Sequence, residues 1–301
     1  MKKYLSALAA LALLFACTPE DATTGTDNTG DNTGGNTGST VVELTGITLS
    51  EHDITLEVGA NKVLEVTFTP EDATNKESYG VRRRYLIGGQ LDSVMNYPFK
   101  EAILNYVKGG DPRTLVDGVM TIVDHYPKPS TDILMNFLTT HDTERAITRL
   151  AGDDVGWNGR EWQSSHELSY EQYAYGVVLM QCAMVLQFFM PGIPSIYYAD
   201  EVGKEGYKDP FNRGTYPWGR ENEYLLDFTR ELGKIRRSYK VFAKGTVRFT
   251  DVTNEYAIFE REDKELGEKA IIIMNRSKNR QVKNLSLLTG EHSYEVIHGR
   301  E

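Results

Sequence analysis

The chain has 301 residues, a formal net charge of −10 and an ordinary soluble composition, 40% hydrophobic and 25% charged. That length accommodates two or three domains. The acidic balance excludes a nucleic-acid backbone as the main partner, because phosphate binding wants a basic face, and it fits a neutral substrate.

Residues 1–17 read as a targeting segment. Lys2 and Lys3 give a positive start, residues 5–15 are apolar but too short to span a membrane, and Ala16-Cys17 closes the stretch. Leu14-Phe15-Ala16-Cys17 resembles the lipid-attachment box of bacterial lipoproteins. That resemblance implies cleavage before Cys17, lipid on Cys17 and a membrane anchor in the bacterial cell envelope. A plain secretory leader with an incidental cysteine is the alternative. Cys182 lies in an apolar helical run and reads as a packing residue, so no disulfide is expected. Residues 18–40 are rich in Thr, Gly, Asn and Asp. Such a tract buries too little to order itself and reads as a tether.

Over residues 41–76 apolar positions alternate. Ile47 and Leu49, then Ile54, Leu56 and Val58, then residues 63–68 read as three short strands, with Gly59-Ala60-Asn61 a turn signal. The pattern resembles the opening of a bacterial Ig-like group 2 domain. A complete sandwich of that kind takes about 100 residues and seven strands, and here the pattern stops after three.

Arg82-Arg83-Arg84 reads as a solvated basic face. Residues 91–97 suit a strand. Residues 100–108 and 112–126 have helical spacing, with Asp111 as a cap before Pro112. Residues 132–145 read DILMNFLTTHDTER. The apolar run 133–138, broken only by Asn136, suits a strand of a parallel sheet buried on both faces. The polar run after it falls where α/β barrels place their chemistry. His141-Asp142 alone is weak evidence, since most such dipeptides are solvated. Residues 152–166 read as a loop at the rim of a site. Residues 170–190 are apolar almost all round and read as a buried helix ended by Pro191, with a membrane span as the alternative. Residues 193–198 suit another strand, and 223–238 an amphipathic helix with basic residues in its last turns. From residue 239 the period changes to two, with candidate strands at 246–250, 256–260, 270–274, 281–285 and 293–297.

Residues 132–145 together with 190–218, MPGIPSIYYADEVGKEGYKDPFNRGTYPW, resemble the alpha-amylase family, glycoside hydrolase family 13, in its cyclomaltodextrinase and neopullulanase branch. HDTER resembles the family's fourth conserved region. PGIPSIYYADE resembles its eighth barrel strand, GYKDPFNRGTYPWGRE the sugar-binding loop that follows, and QLDSVMNYPFKEAI (residues 90–103) the sixth strand and its helix. The resemblance implies an α/β fold: a partial (β/α)8 TIM barrel of strands 6–8 over residues 77–238, then an all-β sandwich over 239–301. It implies that Asp142 is the carboxylate that stabilises the oxocarbenium-like transition state and that His141 is a substrate hydrogen-bonder. Asp209 and Arg213 become the pair that grips a sugar, and Tyr198 and Trp218 retained aromatic contacts. A loop-stapling ion pair is the alternative for Asp209 and Arg213.

Glycoside hydrolysis needs two carboxyl groups flanking the bond. The sequence contains no DxxxNH stretch, no GxRxDxxxH stretch and no clear counterpart of the family's acid glutamate. Continued backward from YGVRRRY, the alignment places that glutamate on Phe68, and the block EDATNK fits both the Ig-like and the amylase pattern. About 160 residues separate Glu77 from Tyr239, against about 250 for a complete barrel, and three strands leave both sheet edges bare. The expectation is an alpha-glucan hydrolase by ancestry that is inactive as this chain, with a fold that is poorly stable or depends on a partner. A non-catalytic glucan-binding surface lipoprotein, or a chimeric product without function, are the alternatives. No cofactor is expected: calcium is common in the family, but its usual ligands lie in the missing half. The expected partners are an alpha-glucan oligosaccharide and, through the lipid, a membrane.

Overall fold

The computed structural model describes residues 91–277 continuously, Leu86, and four strands outside that span: Ala10–Ala16, Gly46–Leu49, Val66–Thr69 and His292–His298. The chain divides into two compact units, one of residues 23–90 and one of the rest. In the smaller unit, β2 (Gly46–Leu49) and β3 (Val66–Thr69) pair antiparallel, with Ile47 opposite Phe68. The second of the three expected strands, at 54–58, and the basic triplet at 82–84 lie outside the described residues.

The larger unit begins with a sheet of three short parallel strands. Met95 bridges Met135, and β4 (Met135–Asn136) pairs with β5 (Ile193–Pro194). Backbone bonds Asn96 N to Met135 O and Ile193 N to Leu134 O, at 3.0 and 2.7 Å, stitch the rows. The strands are shorter than the apolar runs suggested. A one-turn helix, α3 (Lys128–Asp132), ends at Ile133 with ψ of 16°, outside the extended region, so pairing starts only at Met135. Gly192 has φ of +112°, and a Cβ there would stand 2.7 Å from Leu134 O. Only glycine lets β5 approach this closely.

Helices cover one side of this sheet. In α1 (Tyr97–Lys108) the Asn96 side chain accepts from Phe99 N, and Gly109 closes the helix in the left-handed region. In α2 (Pro112–His125) Asp111 caps the first turn, as its position before Pro112 predicted. The buried residues of α2, Leu115, Val119 and Ile122, follow one-face spacing. Helix α4 (Ala146–Ala151) follows the HDTER run, and α5 (Arg160–Ser165) occupies part of the segment expected to be loop. The long helix α6 (Tyr170–Phe189) opens on a capping box, Ser169 with Gln172, and buries nearly all of its last two-thirds. It is long and apolar enough to cross a membrane, yet 72% of its apolar window is buried inside the protein. Helix α7 (Glu223–Ser238) buries Leu225, Phe228, Leu232 and Ile235, and the short α8 (Val241–Lys244) leads into the next sheet.

That sheet runs β6 (Thr246–Val252), β7 (Tyr256–Asp263), β8 (Glu268–Asn275), β1 (Ala10–Ala16) and β9 (His292–His298). Strands β6, β7 and β8 are antiparallel neighbours. The expected strand at 281–285 lies outside the described residues. The barrel-like part and this sheet share one hydrophobic core: Phe259, Ala270, Ile272 and Met274 pack in the same cluster as Leu134, Leu186 and Phe189. Residues 10–16, expected to be leader, form a strand parallel to both β8 and β9. A short run of small apolar residues satisfies a leader core and a flanked strand equally, so the pattern alone does not separate the two.

Candidate functional site

The site forms where the loop after β4 meets the long loop after β5. Arg213 is its centre. Its Nε lies 2.6 Å from Asp209 Oδ1 and 3.1 Å from the His141 carbonyl, and its Nη2 stands 3.9 Å from Asp142 Oδ1. His141 Nε2 is 3.3 Å from the same Asp142 oxygen. The structure therefore brings all four residues His141, Asp142, Asp209 and Arg213 into one cluster, although the two pairs are some 70 positions apart in the chain. Their side chains are 46–61% exposed. The ion pair required by the stapling alternative is formed, and its members still face solvent.

Two carboxylates sharing one guanidinium suit neighbouring hydroxyls: the carboxylates accept, the guanidinium donates. A cavity of about 430 Å³ opens beside them, lined by Asp142, Thr143, Glu144, Asp209 and Phe211 and walled by Lys100, Arg149, Arg160 and Lys208. Arg149 makes a forked pair with Glu101, 3.0 and 2.5 Å, and this guanidinium holds the Glu101 carboxyl down at about 2. Tyr198 donates to Gly214 O at 2.8 Å, and Trp218 stands exposed with its ring 4.4 Å from Tyr216. Among the described residues no group of three or more His, Cys, Asp or Glu is arranged to hold a metal ion.

Below the exposed cluster lies a buried layer that the sequence reading did not single out. Arg145, the last residue of HDTER, is fully buried. Its guanidinium donates to Asn212 O at 2.7 Å, to Tyr198 O at 2.6 Å and to Asp200 Oδ1 at 3.1 Å. It also lies 4.5 Å from the ring centres of Tyr197 and Tyr198. The other Asp200 oxygen accepts from the Thr139 hydroxyl. Ala199, immediately before, has φ of 67°, a left-handed turn that alanine adopts only at a cost of about 1 kcal/mol or more. A residue in that region is expected where the fold over-determines a local geometry. The only hint in the sequence was the density of polar residues at two strand ends, which does not say which of them turn inward.

Burial pushes the Asp200 carboxyl up to about 6, against the pull of the Thr139 hydroxyl and the Arg145 guanidinium. In the unfolded chain it ionises near 3.8. Between those values the folded chain keeps a proton that the unfolded chain has lost, so stability falls as pH rises through this window. About 1 kcal/mol of that loss falls between about pH 5 and pH 8. Urea unfolding of the wild type should show this decline, and Asp200→Asn should remove it. A variant with the same slope as the wild type would contradict the assignment.

The profile of the family described as Alpha amylase, catalytic domain, matches residues 59–265. The chain belongs to the alpha-amylase family. The match starts twelve residues before Glu71, inside the segment read as Ig-like. Among curated relatives, the amylopullulanase of Thermoanaerobacter thermohydrosulfuricus is 31% identical over 218 residues, 65% of this chain and 14% of that protein. A cyclomaltodextrinase of Geobacillus thermopakistaniensis is 29% identical over 199 residues, 64% of this chain and 30% of its own length. Among solved structures, the cyclic alpha-maltosyl-(1-->6)-maltose hydrolase of Arthrobacter globiformis in complex with maltose matches with a TM-score of 0.55 and 28% identity. That match covers 67% of this chain and 41% of the hydrolase. The chain thus spans less than half of each of these relatives. These neighbours support the partial barrel read from the sequence.

Proposed function

We propose that this chain is the sugar-gripping part of an alpha-amylase-family glycoside hydrolase and binds alpha-glucan oligosaccharides at the Asp142–Asp209–Arg213 cluster. The observation that carries the reading is the convergence of those three half-exposed charged groups from two distant loops, with Asp142 and Asp209 lining one cavity and Arg213 bridging them. The Arthrobacter hydrolase solved with maltose supports the substrate class. In this reading Asp142 accepts hydrogen bonds from sugar hydroxyls and would stabilise positive charge on a reacting sugar ring. Hydrolysis also needs a proton donor and a nucleophile, and the sequence motifs that supply them in the family are absent. Binding without turnover is therefore expected of the chain by itself.

Isothermal titration with maltohexaose, and with cellohexaose as the β-linked control, tests this. Binding of the first and not of the second is the expected result. Equal heats for both, or none for either, would sink the proposal. Release of reducing sugar that survives Asp142→Asn would instead locate catalysis elsewhere.

The outer parts of the reading extend this proposal. The antiparallel pair β2–β3 supports an Ig-like opening, and β6–β7–β8 supports a C-terminal β domain of the amylase type. Lys2, Lys3 and the Leu14–Cys17 box support lipid attachment at Cys17 and a place in the cell envelope. Cleavage there would remove β1 from the sheet. Metabolic labelling with an alkyne-tagged fatty acid should mark the wild type and not Cys17→Ser; label on both would exclude Cys17 as the acceptor.

A further inference from the structure

We propose that Asn212 is the positioning residue of this clamp: its buried amide gathers the backbone around His141 and Asp142 and so sets Asp142 against Asp209 and Arg213. The inference rests on the glucan-binding reading above.

Asn212 is fully buried, directly before Arg213. Its Nδ2 lies 3.3, 2.8 and 2.6 Å from the carbonyl oxygens of Thr140, His141 and Thr143. Three carbonyls of one loop thus converge on a single donor group from the other. The hold is mutual, because Arg145 at the end of the first loop donates 2.7 Å to the Asn212 carbonyl. Asp142 itself is 61% exposed, and among the described residues the basic groups within 4 Å of its carboxylate are His141 and Arg213, at 3.3 and 3.9 Å. Exposed contacts of that kind fix a side chain weakly. The place of the Asp142 carboxylate is therefore inherited from its backbone, and the backbone is held by Asn212. Asn212 acts through Asp142 and does not touch substrate.

The isosteric change Asn212→Asp isolates this role. It preserves volume and replaces the donor with an acceptor facing three carbonyls. Its charge enters a buried layer that already holds a cation, since Arg145 Nε donates to the Asn212 backbone carbonyl at 2.7 Å. The loop is repelled while the core stays packed.

Two readouts are taken on the full chain: the dissociation constant for maltohexaose, and amide hydrogen exchange across residues 139–145, α1 and α2. Asn212→Asp should weaken binding tenfold or more and speed exchange at 139–145, with α1 and α2 protected as in the wild type. Asn212→Ala, which removes the donor without repulsion, should fall between the two and stands in if the aspartate variant does not fold. Wild-type affinity with unchanged exchange at 139–145 overturns the inference. So does exchange that rises uniformly, which would make Asn212 a general packing residue. A wild type that binds no glucan refutes the functional reading, and the exchange pattern still decides whether Asn212 holds the loop.

Discussion

Replacing Arg145 by alanine is expected to lower the stability of the fold by about 3–5 kcal/mol, the range seen when one partner of a buried ion pair is removed. The effect has three sources. Asp200, also buried, loses its counterion. The carbonyls of Tyr198 and Asn212 lose their donor. The rings of Tyr197 and Tyr198 lose the cation packed against both of them and gain a cavity. Domains of this kind are stable by only about 5–15 kcal/mol, so the variant should lose a large share of its margin and unfold at markedly lower urea than the wild type. Asp200 offers partial relief, because a carboxyl that already ionises near 6 can stay neutral when the guanidinium is gone. The loss should accordingly be smaller at about pH 5 than at about pH 8. Arg145→Lys keeps the charge but cannot reach three acceptors in one plane, and should fall between wild type and alanine. Urea unfolding followed by far-ultraviolet circular dichroism measures all three. A loss below about 1 kcal/mol would show that the layer under the site is not what holds the two loops together.

The second large effect is functional. Arg213→Ala should reduce affinity for maltohexaose at least tenfold, about 1.4 kcal/mol or more, while leaving stability nearly unchanged. The two parts separate the competing roles of Arg213. Its pair with Asp209 is half exposed, and such pairs contribute about 0–1 kcal/mol to folding. A residue that merely staples the loop would show the reverse: a measurable fall in melting temperature and the same affinity. The guanidinium is also the only cation within 4 Å of both Asp209 and Asp142 among the described residues. Without it the Asp209 and Asp142 carboxylates lose the cation they share. Arg213→Lys restores charge without the fork, and a lysine as good as arginine would argue that only charge matters there.

The sequence was most informative where local chemistry decides local structure. Asp111 before Pro112, and Ser169 three residues before Gln172, mark helix starts that the fold keeps, and residues 223–238 form a helix with those bounds. The motif residues His141, Asp142, Asp209 and Arg213 were legible through family resemblance, and the fold gathers them. Strand length was not legible. The run 133–138 is apolar throughout except for Asn136, but pairing is a property of two segments, and only Met135 and Asn136 enter the strand ladder, with Leu134 adding one backbone bond to Ile193. The buried layer was not legible either. Arg145, Asp200 and Asn212 are polar residues in polar loops, and nothing in the order of letters distinguishes them from Arg213 or Asp209, which face water. What turns them inward is the meeting of two loops separated by more than fifty residues.

The placement of the three tryptophans decides how this protein can be observed. Trp157 is fully exposed and Trp218 is 79% exposed, so both sit in water before any unfolding takes place. Trp162 is stacked at 4.0 Å on His166, an imidazole that quenches indole emission when protonated. The intrinsic emission of the native chain should therefore lie at long wavelength, close to that of a denatured one. A fluorescence trace through a melt would be nearly silent. The same arrangement makes Trp218, five residues after Arg213, a sensitive reporter of anything that covers it.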